Sequence, residues 1–131
     1  MDCLFCKIIE GEVPSKKIHE DERAFAFLDI APWQRGHALV IPKRHTVDAL
    51  EDPATLAEIA DAVVTVANLL KGRLGATAVN LLSNAGADSG QEVFHTHVHV
   101  IPRYPDNPGL GNLKSQVSEE LDVTYQRLVK A

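Results

Sequence analysis

The sequence predicts an α+β fold from three observations. Residues 24–29, 37–41, 78–82 and 93–101 read as short strands bounded by Gly, Pro, Asn or Ser. Residues 52–74 carry one long helical pattern between the second and third of these runs. Strands in one group with one main helix are the mark of the α+β class.

Each element has its own signal. In residues 24–29, Phe25 and Phe27 share one face at period two. Pro32 and Gly36 break the run as a turn, and residues 37–41 form a second strand stopped by Pro42. The short connection predicts an antiparallel pair. Asp52 is a good N-cap with Pro53 at the first helical position, where no amide is needed. Leu56, Ile59, Val63, Ala67 and Leu70 then recur at steps of three and four as an apolar stripe. Lys71 and Arg73 suit the helix dipole, and Gly72 or Gly75 supplies the stop. Residues 78–82 form a third strand, 83–91 a polar glycine-bearing loop, and 93–101 a fourth strand ended by Pro102. Pro105, Pro108, Gly109 and Gly111 make an irregular connection. Val117, Leu121, Tyr125 and Leu128 then predict a short last helix with Ser118 near its start.

At 131 residues the chain suits a single domain. Its net charge of −5 argues against binding nucleic acid, whose partners present basic surfaces. No run approaches the ~20 apolar residues of a membrane span, and Met1–Lys7 lacks a signal-peptide pattern, so a cytoplasmic location is expected. In that compartment Cys3 and Cys6 stay reduced, which makes them a metal half-site or a redox pair rather than a disulfide.

The chemistry is concentrated in His95-Thr96-His97-Val98-His99, which holds three of the six histidines. On a strand they project from one face, spread over about 14 Å, while Thr96, Val98 and Val100 face the other way. Surface histidines on a solvated face would be the bland outcome. Two sharper ones are a three-histidine catalytic metal site and an imidazole nucleophile or acid/base oriented by its neighbours. Just before the run, residues 84–91 form a loop whose amides could cradle an anion, with Asn84 and Gln91 as neutral donors. It is not a Walker loop, because no Gly-Lys-Ser/Thr occurs.

Residues 84–103, NAGADSGQEVFHTHVHVIPR, resemble the signature of the histidine-triad (HIT) superfamily, His-φ-His-φ-His-φ-φ with φ apolar. Thr96 departs mildly at the first apolar slot. Residues 3–45 also resemble the family, notably its Hint-like branch and bacterial HIT proteins. The likeness covers roughly residues 3–104, leaving 105–131 as a tail. It implies a HIT fold: an antiparallel sheet of about five strands, one long helix and short terminal helices.

The resemblance also implies roles. His97 would attack the α-phosphate of a purine nucleotide conjugate, of AMP phosphoramidate type, and form a covalent nucleotidyl-histidine. His99 would orient and polarise this centre, with His37 and His95 completing the catalytic set. Asp29 would take the ribose hydroxyls. Ile30, Phe5, Ile8, Val13 and Phe27 would line the base, although by pattern alone they are core. Asn84, Gly90, Gln91 and Val93 would hold the phosphate. Glu92 stands where many Hint-like members have Ser or Thr, and as a carboxylate would repel phosphate, which leaves only its backbone amide as a binding group. In bacterial relatives Cys3, Cys6, His45 and His95 would form a closed Cys2His2 structural zinc site. A twofold homodimer through the main helix and sheet edge is implied as well. The alternatives are a dinucleoside polyphosphate hydrolase and a nucleotide-binding scaffold with vestigial activity.

Overall fold

The computed structural model describes residues 3–111 and 115–130. Its elements are α1 (Leu4–Ile9), β1 (Lys17–Glu20), β2 (Ala24–Leu28), β3 (Ala38–Pro42), α2 (Ala54–Leu74), β4 (Ala78–Leu82), β5 (Val98–Arg103) and α3 (Leu121–Val129). The five strands form one antiparallel sheet in the order β1-β2-β3-β5-β4. The α+β class is as the sequence predicts, and so are strands 24–28 and 78–82 to within a residue.

The sheet has two differently built faces. Ala24, Ala26, Ala38, Val40, Val98 and Val100 turn towards α2 and pack on Ile59, Ala62, Val63, Val66 and Leu70. Three alanines among six strand positions let the helix sit close to the sheet. On the other face Phe25, Phe27, Leu39 and Ile41 meet Cys3, Phe5 and Ile8 of the α1 region. Full burial of a residue such as Phe5 contributes about 1.5–3 kcal/mol, enough to anchor a helix of one and a half turns. The register sets Phe27 beside Leu39, and Leu39 beside His99, so the phenylalanine face runs straight into the histidine segment.

The α2 stripe is shifted from its predicted position. Leu56 is exposed, and Thr55, Ala62 and Val66 are buried instead, alongside Ile59, Val63 and Leu70. Leu56 satisfied the spacing but lies on the solvent side of the first turn, where Thr55 is buried instead. Asp52 Oδ1 accepts the Ala54 amide at 2.9 Å, and the helix stops at Gly75, whose φ of 74° suits a residue without Cβ. Gly36 is demanded by space as well: a Cβ there would lie 2.6 Å from Leu74 Cδ1, with φ at +89°.

Three further differences matter. β1, Lys-Ile-His-Glu, is a strand the sequence hides, since it is a charged edge strand without an apolar alternation. The strand expected at 93–101 begins only at Val98, and the segment before it runs outside the ladder. The last helix begins at Leu121 rather than near Val117, and none of its residues is buried. Among the described residues no helix is long and apolar enough to cross a membrane.

Candidate active site and metal centre

All three histidines of the run are buried, with exposures of 0% for His95 and 6% for both His97 and His99. The surface outcome is excluded. They keep the period-two alternation although only His99 lies on a paired strand, because Val98 and Val100 are held in the α2 core and Thr96 is pinned elsewhere. The Thr96 amide donates to the Thr46 carbonyl at 2.8 Å, and the two buried hydroxyls meet at 2.6 Å. A polar residue at this apolar slot is thereby satisfied. It also ties the segment bearing His95 to the one bearing His45.

Hydrogen bonds define the tautomer of each imidazole. The Trp33 amide donates to His37 Nδ1 at 3.1 Å, so the proton of a neutral His37 sits on Nε2. From there it is donated to His99 Nδ1 at 2.9 Å, which leaves His99 with its own proton on Nε2. His97 Nδ1 donates to the His95 carbonyl at 2.7 Å, and its Nε2 is therefore a free lone pair. His95 Nε2 donates to the Pro42 carbonyl at 2.8 Å, and its lone pair is on Nδ1. The rings are neutral because burial penalises the cation: His95 and His99 are each pushed down to about 4, and His37 and His97 shift in the same direction.

His97 and His99 face a cavity of about 300 Å³. Phe5, Ile8, Val13, Phe27, Asp29, Ile30, Gly90, Glu92 and Val93 line it too, as do Trp33, Leu39, Pro14 and Ser15. Asp29 follows β2 at the cavity wall, with Oδ1 accepting the Ala31 amide at 2.9 Å and Oδ2 lying 3.8 Å from His37 Nε2. Ile30 stands on the rim, 94% exposed. Phe5 touches both His95 and His97 edge-on, at 5.9 and 5.1 Å between ring centres.

Asn84 and Gln91 do not line this cavity. The Gln91 carboxamide is spent on the protein: it donates to the Val47 and Val93 carbonyls and accepts the Gly86 amide. It braces the loop from within, and its side chain has no donor left for a phosphate. Trp33 is the residue that pattern-reading missed. It stacks on His99 at 4.7 Å with planes 19° apart, and it holds His37 through its amide. The available signal was the chain's one tryptophan placed in a Pro/Gly loop.

His95 points away from the cavity, so the triad does not converge as a three-histidine metal site. Its Nδ1 lies 3.0 Å from His45 Nδ1, 3.5 Å from Cys3 Sγ and 3.6 Å from Cys6 Sγ. All four ligand atoms lie within 4.8 Å of one another. Around a tetrahedral Zn²⁺ with ordinary bond lengths, N and S ligands are ~3.5 Å apart, so this donor set fits such an ion. Two nitrogens and two sulfurs facing each other are poorly satisfied by hydrogen bonds alone. Without a cation, burial and the adjacent Cys3 push the Cys6 thiol up to about 11.

Fold and site together define an α+β protein with a cluster of buried imidazoles beside one antiparallel sheet. The HIT domain profile matches residues 10–106. The chain is 44% identical over 111 residues to "Protein hit" of Bacillus subtilis, covering 84% of this chain and 77% of that one. It is 44% identical over 104 residues to "Adenylylsulfatase HINT3" of Arabidopsis thaliana, covering 78% of this chain but about half (52%) of that protein. A crystal structure of a HIT-family member from Bacillus subtilis superposes with a TM-score of 0.83 at 38% identity, covering 98% of this chain and 94% of the other. The chain belongs to the HIT family.

Proposed function

We propose that this protein is a nucleotide hydrolase acting at the α-phosphate of AMP conjugates of the phosphoramidate type, through a nucleotidyl group carried on His97. One observation carries the reading: a free lone pair on His97 Nε2 and a proton on His99 Nε2 face the same cavity. The lone pair forms the N–P bond, and the His99 N–H donates to a non-bridging oxygen as charge builds there. The P–N bond breaks with its electron pair on the leaving amine, which takes a proton from water. The hydroxide left behind, or a second water that hands its proton to that hydroxide, then attacks phosphorus, the N–P pair returns to His97, and AMP is released. Asp29 would accept the ribose hydroxyls, and Phe5, Ile8, Val13 and Phe27 would hold the base in an apolar slot, with Ile30 closing its rim. The amides of Glu92 and Val93 are the phosphate donors in this reading, since those of Gly90 and Gln91 already donate to the Ala87 and Gly86 carbonyls.

Cys3, Cys6, His45 and His95 would hold a structural zinc, whose charge would keep both thiols ionised. A twofold homodimer is proposed through exposed Leu56 and Val64 of α2 and the open edge at Leu81 of β4, to be checked by light scattering. For the activity, adenosine phosphoramidate is incubated with the protein. AMP release and an adenylate-sized mass increase on the chain support the proposal. Tight AMP binding with no turnover would mean a binding module instead.

A further inference from the structure

The cavity that holds His97 and His99 is unusual for a phosphate site in its charge. Among the described residues lining it there is no lysine or arginine, and the charged side chains are both acids, Asp29 and Glu92. Asp29 is committed at the wall, through the Ala31 amide and its approach to His37. Glu92 is different. It is exposed, it sits two residues from Gly90 on the approach to His97, and it makes no hydrogen bond or ion pair among the described residues. Phosphate at His97 would be held by neutral donors alone, namely the His99 N–H and loop amides. Any further negative charge on the leaving group meets an unpaired carboxylate, and a positive one finds its partner there.

We propose that Glu92 selects the charge of the leaving group, favouring an amine that carries a second, cationic centre and disfavouring anionic groups such as sulfate or polyphosphate. This rests on the hydrolase reading above and specifies its substrate class. Glu92 takes no part in the covalent steps, and its contribution is a field at the cavity mouth. Because it is exposed, the effect is about three- to fivefold per charge and weakens as salt shortens the Debye length.

The test uses two AMP phosphoramidates of equal linker length, one ending in an ammonium and the other in a carboxylate. The expected kcat/KM ratio of the cationic to the anionic conjugate is at least about tenfold, shrinking with added salt. Glu92→Gln should cut that ratio by about tenfold or more, and Glu92→Asp should keep most of it. A ratio near one, or one that Glu92→Gln leaves unchanged, overturns the proposal. If neither conjugate is turned over, the hydrolase reading fails separately. The charge preference is then read as a ratio of Kd values in His97→Ala, followed through the fluorescence of Trp33, the only tryptophan and a cavity-lining residue. No difference in Kd between the conjugates there also overturns it.

Discussion

The two ends of the histidine run are built from the same residue type and do opposite things. At the His99 end, imidazoles are satisfied by protein: Trp33 amide to His37, His37 to His99, and His97 to a carbonyl. Each proton has a defined place, and here only Nε2 of His97 and Nε2 of His99 are left without a protein partner among the described residues. At the His95 end four metal-ligand atoms crowd together at 3.0–3.6 Å with little but each other to bond. That arrangement fits the structural zinc proposed above. Alternation along an extended segment thus creates equivalent positions, and the neighbouring loops decide what each becomes.

The largest expected effect lies at the first end. His97→Ala should lower kcat by at least ~10⁴-fold and abolish the adenylated species by mass spectrometry, with an unchanged circular dichroism spectrum. Retained activity would remove the nucleophile assignment. At the other end, Cys3→Ala removes one of four ligands in a site type worth ~10–16 kcal/mol, so a loss of about 3–4 kcal/mol in zinc binding is expected by chelator competition. The variant should still take up adenylate on His97 where it remains folded. If both properties vanish together, the two ends act as one unit.

Acid acts on both ends in the same direction, because burial holds His95 and His99 alike near 4. His99 has a folded pKa of about 4, against ~6.5 in an unfolded chain. Between those values the unfolded state binds a proton that the folded state refuses, so stability rises with pH across this window. Lowering the pH from about 6.5 to 4 should cost about 3 kcal/mol from His99, with His37 acting in the same direction, and the loss should then level off. Denaturant titrations should show this in the native protein and in Cys3→Ala alike. A slope confined to the native protein would trace it to the Cys3–Cys6–His45–His95 cluster.

Smaller effects bear on what joins the ends. Thr96→Val strands the buried Thr46 hydroxyl and should cost about 2 kcal/mol, Thr46→Val costs less because Thr96 Oγ1 still donates to the Thr46 carbonyl at 3.2 Å, and the double replacement costs less than the sum, as a double-mutant cycle would measure. Additive values would show that the pair is incidental. Smallest of all, Leu128→Ser in α3 should change stability by no more than ~0.5 kcal/mol, because that side chain is 79% exposed.

The sequence made legible whatever depends on local period and punctuation. Alternating phenylalanines marked β2, and the three-and-four spacing marked α2. It concealed what depends on distant partners. The β1 edge has no apolar pattern, and the ladder starts late because residues before Val98 pair with the 46–47 segment through Thr96 and Gln91 rather than with a strand. The cavity lining was largely readable through family likeness, since Phe5, Phe27, Asp29 and His97 come from four separate segments. Gln91 illustrates the limit: its residue type suggests a ligand donor, and only its three bonds to the protein reveal a brace.

The hydrogen bond from His97 Nδ1 ends on the main-chain oxygen of His95, not on its imidazole. Every amino acid carries that oxygen. Replacing Cys3, Cys6 or the side chains of His45 and His95 therefore leaves in place the acceptor that fixes the His97 proton. In the proposed reading, the metal and the reaction would draw on different atoms of one residue, the His95 imidazole and the His95 carbonyl.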